Sequence, residues 1–461
     1  MSPVSRSRKS KKESPGSRRS GNPANRLPGQ RAHDGAPAPA RGLVSGSPFG
    51  RVSALGVLAG RLRGPREAPA WVADVAADLL DGAVILLDAQ SPRALEDLTA
   101  RLFGEHLHRM ADKHDETGVA WLLDAVLTLA LTRLRTEPDA PAAQAALRLL
   151  HGLRAIGSPA LAHAAEDIIK QQRRSARAGT AAGAGQAAAP DWLAHTGKLR
   201  MTGEVWTIRD VYGARIGVIA TTEYPGGLDR AVYLFDVDAC AFITIAGGGA
   251  FDDVYQAAAA WRTAVGWAAD GAQPVTLAET GTEVLRCLRE ADLSEELIRG
   301  NEPRTVWDEW LRSMRRVHDL AAALNRTGRS MPGELSLYHD YDPQPLTAQF
   351  TAYLVQLRGG DPLGTVEQNA AAALVGEWLD GMLPDTHLTV SPHRLQHQIE
   401  LINDWLEDEV TTTVKALLPG WVAFLAHSAN LPQRATDAAL TTLATLQAGG
   451  TRDSAHCPGI H

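Results

Sequence analysis

Residues 212–246, YGARIGVIATTEYPGGLDRAVYLFDVDACAFITIA, decide the fold. Val, Ile, Tyr and Phe crowd three short runs, and Gly, Pro and Asp separate them. β-branched and aromatic side chains favour a pleated, half-buried surface, while YGAR at 212–215 and PGGLD at 225–229 supply tight turns. Strands are expected at Gly203–Tyr212, Arg215–Thr222, Arg230–Cys240 and Ala241–Ala246. Phe251, Val254, Tyr255, Ala258, Trp261 and Val265 then recur at helical spacing. This predicts a small antiparallel sheet with a helix across one face, an α+β module.

Outward from that module the pattern turns helical on both sides. Before it, Trp71, Val75, Leu79 and Leu80 begin a run of short helices. Ser91-Pro92 is a good start, since Ser caps and Pro at the first helical position loses no hydrogen bond. After it, helices are expected at 282–298, 305–324, 345–357, 364–382, 393–409, 411–427 and 432–447. The resulting division is a disordered basic arm (1–66), a helical domain (67–173), an Ala/Gly linker (174–190), the α+β module (191–274), a second helical domain (275–448) and a disordered tail (449–461).

Charge is unevenly spread. Residues 1–45 hold ten Arg and Lys against Glu13 and Asp34, a net +8, so the remainder carries -15 of the overall -7. The arm is expected to be a solvated tail, or upstream sequence from an early start. Its alternative role is a nucleic-acid tether acting by charge alone. No apolar run reaches the ~18 residues a membrane span needs, and the first twenty residues lack an apolar core for a secretory signal. Three cysteines without a CxxC pair make no disulfide framework. A cytoplasmic protein without membrane contact is expected.

Motifs for cofactors are lacking: there is no GxxxxGK[ST], no GxGxxG after a strand and no GxSxG elbow. Ala246–Ala250, AGGGA, is expected to be a glycine turn between strand and helix. Asp252 and Asp253 in the following first helical turn would repel a phosphate there. No cofactor is expected.

Asp236, Asp238 and Cys240 carry the strongest chemical signal. In YLFDVDAC the period of two puts all three on one face of a strand, with Tyr233, Phe235 and Val237 on the other. Adjacent carboxylates can bind a divalent ion or share a proton, so Asp236 and Asp238 are the candidate metal ligands, with Glu223 and His195 as further donors. The competing reading is the wet face of an antiparallel sheet. His393 and His397, four apart on a helix, could also hold zinc. Tyr338, His339, Asp340 and Tyr341 form a polar, aromatic loop suited to a ligand or partner.

The segment DVYGARIGVIATTEYPGGLDRAVYLFDVDACAFITIAGGGAFDDVYQAAAAWRTAVG resembles a family of long actinobacterial proteins without an assigned activity. Asp236, Asp238, Cys240, Trp261, Arg262 and Gly266 carry the likeness. Trp405, Leu406, Leu418 and Phe424, in LTVSPHRLQHQIELINDWLEDEVTTTVKALLPGWVAFLAHSANLP, extend it. The resemblance implies the domain order and a bacterial cytoplasmic setting, and no catalytic role. With no recognisable nucleophile or metal array, the leading expectation is a non-catalytic adaptor or regulatory protein with a protein partner. Its alternative is a metal- or small-molecule-dependent enzyme centred on Asp236 and Asp238.

Overall fold

The computed structural model describes residues 68–449, apart from 112–118, 137–139, 180–189, 226–229, 241–242, 279–281, 291–303, 333–341 and 380–385. The basic arm, most of the linker, the Tyr338–Tyr341 loop and the C-terminal tail lie outside these residues. The fold is mostly helical, with a small central antiparallel sheet flanked by helices.

Helices α1 (Trp71–Gly82), α2 (Pro92–Ala111), α3 (Val119–Thr136), α4 (Pro141–Ile156) and α5 (Pro159–Gly179) pack into an N-terminal bundle. Its core is Leu and Ala at helical spacing, among them Leu79, Leu95, Val126, Leu149 and Ile168. Helix α5 runs to Gly179, six residues into the stretch expected to be linker. Alanine and arginine are strong helix formers, so RSARAG continues the helix already begun.

The sheet is formed by β1 (Arg200–Arg209), β2 (Arg215–Glu223), β3 (Arg230–Asp238), β4 (Thr244–Phe251) and the two-residue β5 (Val275–Thr276), in the order β4-β3-β2-β1-β5. All pairings are antiparallel. The expected glycine turn at 246–250 is instead the middle of β4, with Gly247, Gly248 and Gly249 opposite Asp236, Phe235 and Leu234. Gly248 permits close approach. A Cβ there would lie 2.8 Å from the Leu234 carbonyl oxygen and 3.1 Å from the Tyr233 hydroxyl.

Helices cover both faces of the sheet, where the sequence suggested a helix across one face only. Helix α6 (Val254–Val265) lays Trp261 and Ala258 on Ile208, Ile219 and Leu234. Asp253 caps it, accepting from the Tyr255 and Gln256 amides, while Asp252 precedes the cap and pairs with Arg93. A short α7 (Arg286–Glu290) places Cys287 and Leu288 at the opposite face. There lies α8 (Arg304–Arg326), which buries two stripes. Leu320, Ala323 and Leu324 meet Tyr233, Phe235 and Val237, whereas Trp307, Trp310 and Leu311 enter the N-terminal bundle. Burial on both sides explains why β2 and β3 are almost wholly buried, with no wet face.

Helices α9 (Gln344–Leu357), α10 (Thr365–Leu379), α11 (Pro392–Asn403), α12 (Glu409–Ser428) and α13 (Gln433–Gln447) form a separate C-terminal bundle around Phe350, Trp378, Trp421 and Phe424. Helix α11 stops at Asn403, short of the expected 409, and Asp408 caps α12 by accepting from the Thr411 amide. Among the described residues, no helix is long and apolar enough to cross a membrane.

One buried histidine in the N-terminal bundle carries a pH signature. The Thr196 hydroxyl donates to the Leu193 carbonyl, so it accepts from His151 Nδ1–H at 3.0 Å. Burial first, then the charges of Arg154, Arg173 and Arg148, lower the His151 pKa from 6.5 to about 3. The folded pKa therefore lies below the unfolded one. The unfolded chain takes up the proton first, and stability present above pH 6.5 is lost as pH falls. At about pH 5 the loss from this group is expected to be about 2 kcal/mol. Urea unfolding at about pH 7.5 and 5 checks it: His151→Asn should remove most of that difference, and an unchanged pH slope would contradict the assignment.

Candidate functional site

Strand register builds the centre of the site. Arg215 on β2 stands opposite Asp238, and Gly217 stands opposite Asp236, so the guanidinium reaches both carboxylates along β3. Arg215 donates from Nε to Asp236 Oδ1 at 2.6 Å and from Nη2 to Oδ2 at 2.7 Å, a bidentate pair. Its Nη1 lies 3.4 Å from Asp238 Oδ2. Trp261 on α6 adds an indole N–H to Asp236 Oδ1 at 3.1 Å. Asp236 is fully buried, and its charge is answered within the sheet and its covering helix.

Asp238 faces the C-terminal bundle. Its Oδ1 accepts the Cys240 amide at 2.8 Å, and its Oδ2 accepts His393 Nδ1–H at 2.9 Å. Burial works to raise the Asp238 pKa. The hydrogen bond and charge of His393, the Arg215 charge and the Cys240 amide outweigh it and hold the carboxyl below the usual range. The group is therefore an anion at neutral pH, ready to accept a cation.

Cys240 is held by the start of α11. Ser391 caps that helix, its hydroxyl oxygen accepting the Arg394 amide at 3.1 Å. The same hydroxyl lies 3.0 Å from Cys240 Sγ, and either group can donate to the other. Arg394 donates from Nη1 to the Cys240 carbonyl at 3.1 Å and from Nη2 to the Trp378 carbonyl, and it stacks 5.2 Å from the Trp378 ring. Two side chains at the start of α11 thus grip the residue that carries the thiol.

The outcome is one carboxylate oxygen, one thiol sulfur and one imidazole nitrogen within 4.8 Å of one another, from Asp238, Cys240 and His393. Asp238 and Cys240 are buried, whereas the His393 side chain is 43% exposed, which leaves one side open to solvent. A tetrahedral zinc-class ion would need its ligand atoms about 3.3–3.7 Å apart, given bonds of about 2.0–2.3 Å. The Asp238–His393 hydrogen bond, at 2.9 Å, is shorter than that spacing and would have to open for both groups to hold one ion.

The other expected donors lie elsewhere. Glu223 pairs with Arg230, eight residues along the β2–β3 ladder from the Arg215–Asp238 pair, roughly 26 Å at about 3.3 Å per residue. His195 ends a short helical turn beside the N-terminal bundle. His393 and His397 share α11, and it is His393 alone that joins Asp238 and Cys240. The Tyr338–Tyr341 loop lies outside the described residues.

Sequence reasoning also missed a second buried network. Arg316 bridges Glu96 and Asp319, and Glu96 accepts the Tyr224 hydroxyl at 2.6 Å. Arg312 pairs with Asp97 and Glu309, and Glu309 accepts the Tyr233 hydroxyl at 3.0 Å. These groups satisfy one another and join α2, α8 and the sheet.

Comparison with known proteins sets nothing beside this arrangement: no family model matches the chain, and no curated protein or solved structure resembles it significantly.

Proposed function

We propose that the protein is a metal-dependent enzyme whose site is Asp238, Cys240 and His393, taking a divalent ion of the zinc class. The convergence of three ligand types within 4.8 Å at a buried junction carries this reading. Thiolate and imidazole together favour Zn2+, Co2+ or Fe2+ over the hard ions Mg2+ and Ca2+, which take oxygen ligands.

Charge balance supports the same choice. Arg215 and Asp236 neutralise each other through their bidentate pair. With Cys240 ionised on binding, Asp238 and Cys240 would bring two negative charges to a 2+ ion, beside the longer contact of Arg215 to Asp238. Three protein ligands with a solvent-facing side match the open coordination of catalytic sites, where the ion supplies a Lewis acid and an activated water. Among this chain's own groups, Ser391 would hydrogen-bond the thiolate, while Arg394 fixes its loop through the Cys240 carbonyl. Among the described residues, no second His/Cys/Asp/Glu cluster of this kind lies on the helical bundles.

Cobalt titration of the full chain tests the reading. A thiolate-to-cobalt charge-transfer band should appear with one ion per chain, and Zn2+ should displace it. Cys240→Ser should abolish the band, and His393→Ala should weaken affinity about 100-fold or more. An absent band, or uptake unchanged in both variants, would return the three side chains to a structural hydrogen-bond cluster.

A further inference from the structure

The three proposed ligands belong to two separately packed halves. Asp238 ends β3 and Cys240 follows it, and the core of β3 is shared with α8 and the sheet. His393 belongs to α11, whose apolar residues pack within the C-terminal bundle. The bundle's helices pack chiefly on one another. Its apolar junction with the rest is small: Tyr212, Ala214 and Cys240 meet Ala435, with Val211, Ala268 and Leu431 at the margin.

Among the described residues, further links are polar. Tyr212 donates its hydroxyl to the Ala435 carbonyl at 3.1 Å, and Thr389 donates to the Tyr212 carbonyl at 2.9 Å. The Arg434 guanidinium lies 4.5 Å from the Trp267 ring and pairs with Asp270 at 3.3 Å. Beside these stand the Cys240–Ser391, Asp238–His393 and Arg394–Cys240 contacts at the site itself. The candidate metal site is thus a large part of what joins the halves.

We infer that the ion acts as a clasp, so that its binding controls the docking of the C-terminal bundle on the sheet. The inference rests on the metal reading above and adds its regulation. With the bundle undocked, the sheet side keeps Asp238 and Cys240 but loses His393, so the ion binds more weakly. A ligand that prefers one of two states shifts the population toward it by the ratio of its affinities. Ion availability would thereby set whether the site is assembled and closed.

Amide hydrogen exchange of the full chain, with Zn2+ or with a chelator, tests this. Metal content is measured in the same samples. At free Zn2+ well above the dissociation constant, exchange at 211–216 and 389–395 should slow about tenfold or more, with residues 141–156 unchanged. Arg434→Ala removes a junction contact but no ligand. It should speed exchange at the junction without the ion and keep the slowing with it. His393→Ala should lose the slowing. One bound ion with unchanged exchange at both segments would overturn the clasp and leave the site standing. A wild-type chain that takes up no ion would overturn both, and the metal content separates the two failures.

Discussion

Exchange of Arg215 for methionine is expected to destabilise the protein by about 3–5 kcal/mol, the cost of breaking a buried ion pair from one side. Methionine keeps most of the volume, so the loss is electrostatic. Arg215 is the bidentate partner of fully buried Asp236 and the nearest guanidinium to Asp238. Without it, Asp236 retains the Trp261 indole N–H but no counter-charge. The carboxylate would be left buried without a partner of opposite charge. Urea unfolding at about pH 7.5 measures the loss. The double variant Arg215→Met with Asp236→Asn should recover much of it, because it removes the stranded charge. A deficit under about 1 kcal/mol would mean that Arg215 is not the main counter-charge.

Gly104→Ala should cost about 3 kcal/mol, toward the upper end for overpacking, although alanine is the better helix former. Gly104 lies within α2, where α8 crosses it. An added Cβ would lie 2.6 Å from the Asp308 backbone nitrogen and nearer still to its Cα. Backbone cannot rotate aside, so the two helices must separate. Separation strains the Arg316–Glu96 and Arg312–Asp97 pairs that bridge the same helices. The measurement is a thermal melt with a denaturant curve. An alanine variant as stable as the parent would show that α2 and α8 approach less closely than this.

Much of the local organisation is legible along the chain because it depends on short-range periodicity. Val, Ile and Tyr runs with glycine turns specify β1, β2 and β3. Ser91-Pro92 marks the start of α2. The period of two places Asp236 and Asp238 together on one face of β3, and Cys240 just past its end. What fails locally is the AGGGA stretch, because glycine is favoured in turns and depleted in strands, so its local preference points away from β4. Only the approach of Tyr233 and the β3 backbone explains why glycine sits there.

The neighbours of these groups depend on distance in space. By itself the sequence determined that two carboxylates share a strand face, with a thiol two residues beyond the second. It could not determine that this face is dry, since that depends on α6 covering it and on the C-terminal bundle closing its end. Nor could it supply the partners, because Arg215 and His393 lie 21 and 155 residues from the aspartates they meet. No spacing rule spans such intervals. Burial then makes the pairing obligatory, since an uncompensated charge inside a protein costs several kcal/mol. Tertiary structure thus turned an expected pair of carboxylates into two unlike groups: Asp236 answered by Arg215 and Trp261, and Asp238 turned toward Cys240 and His393.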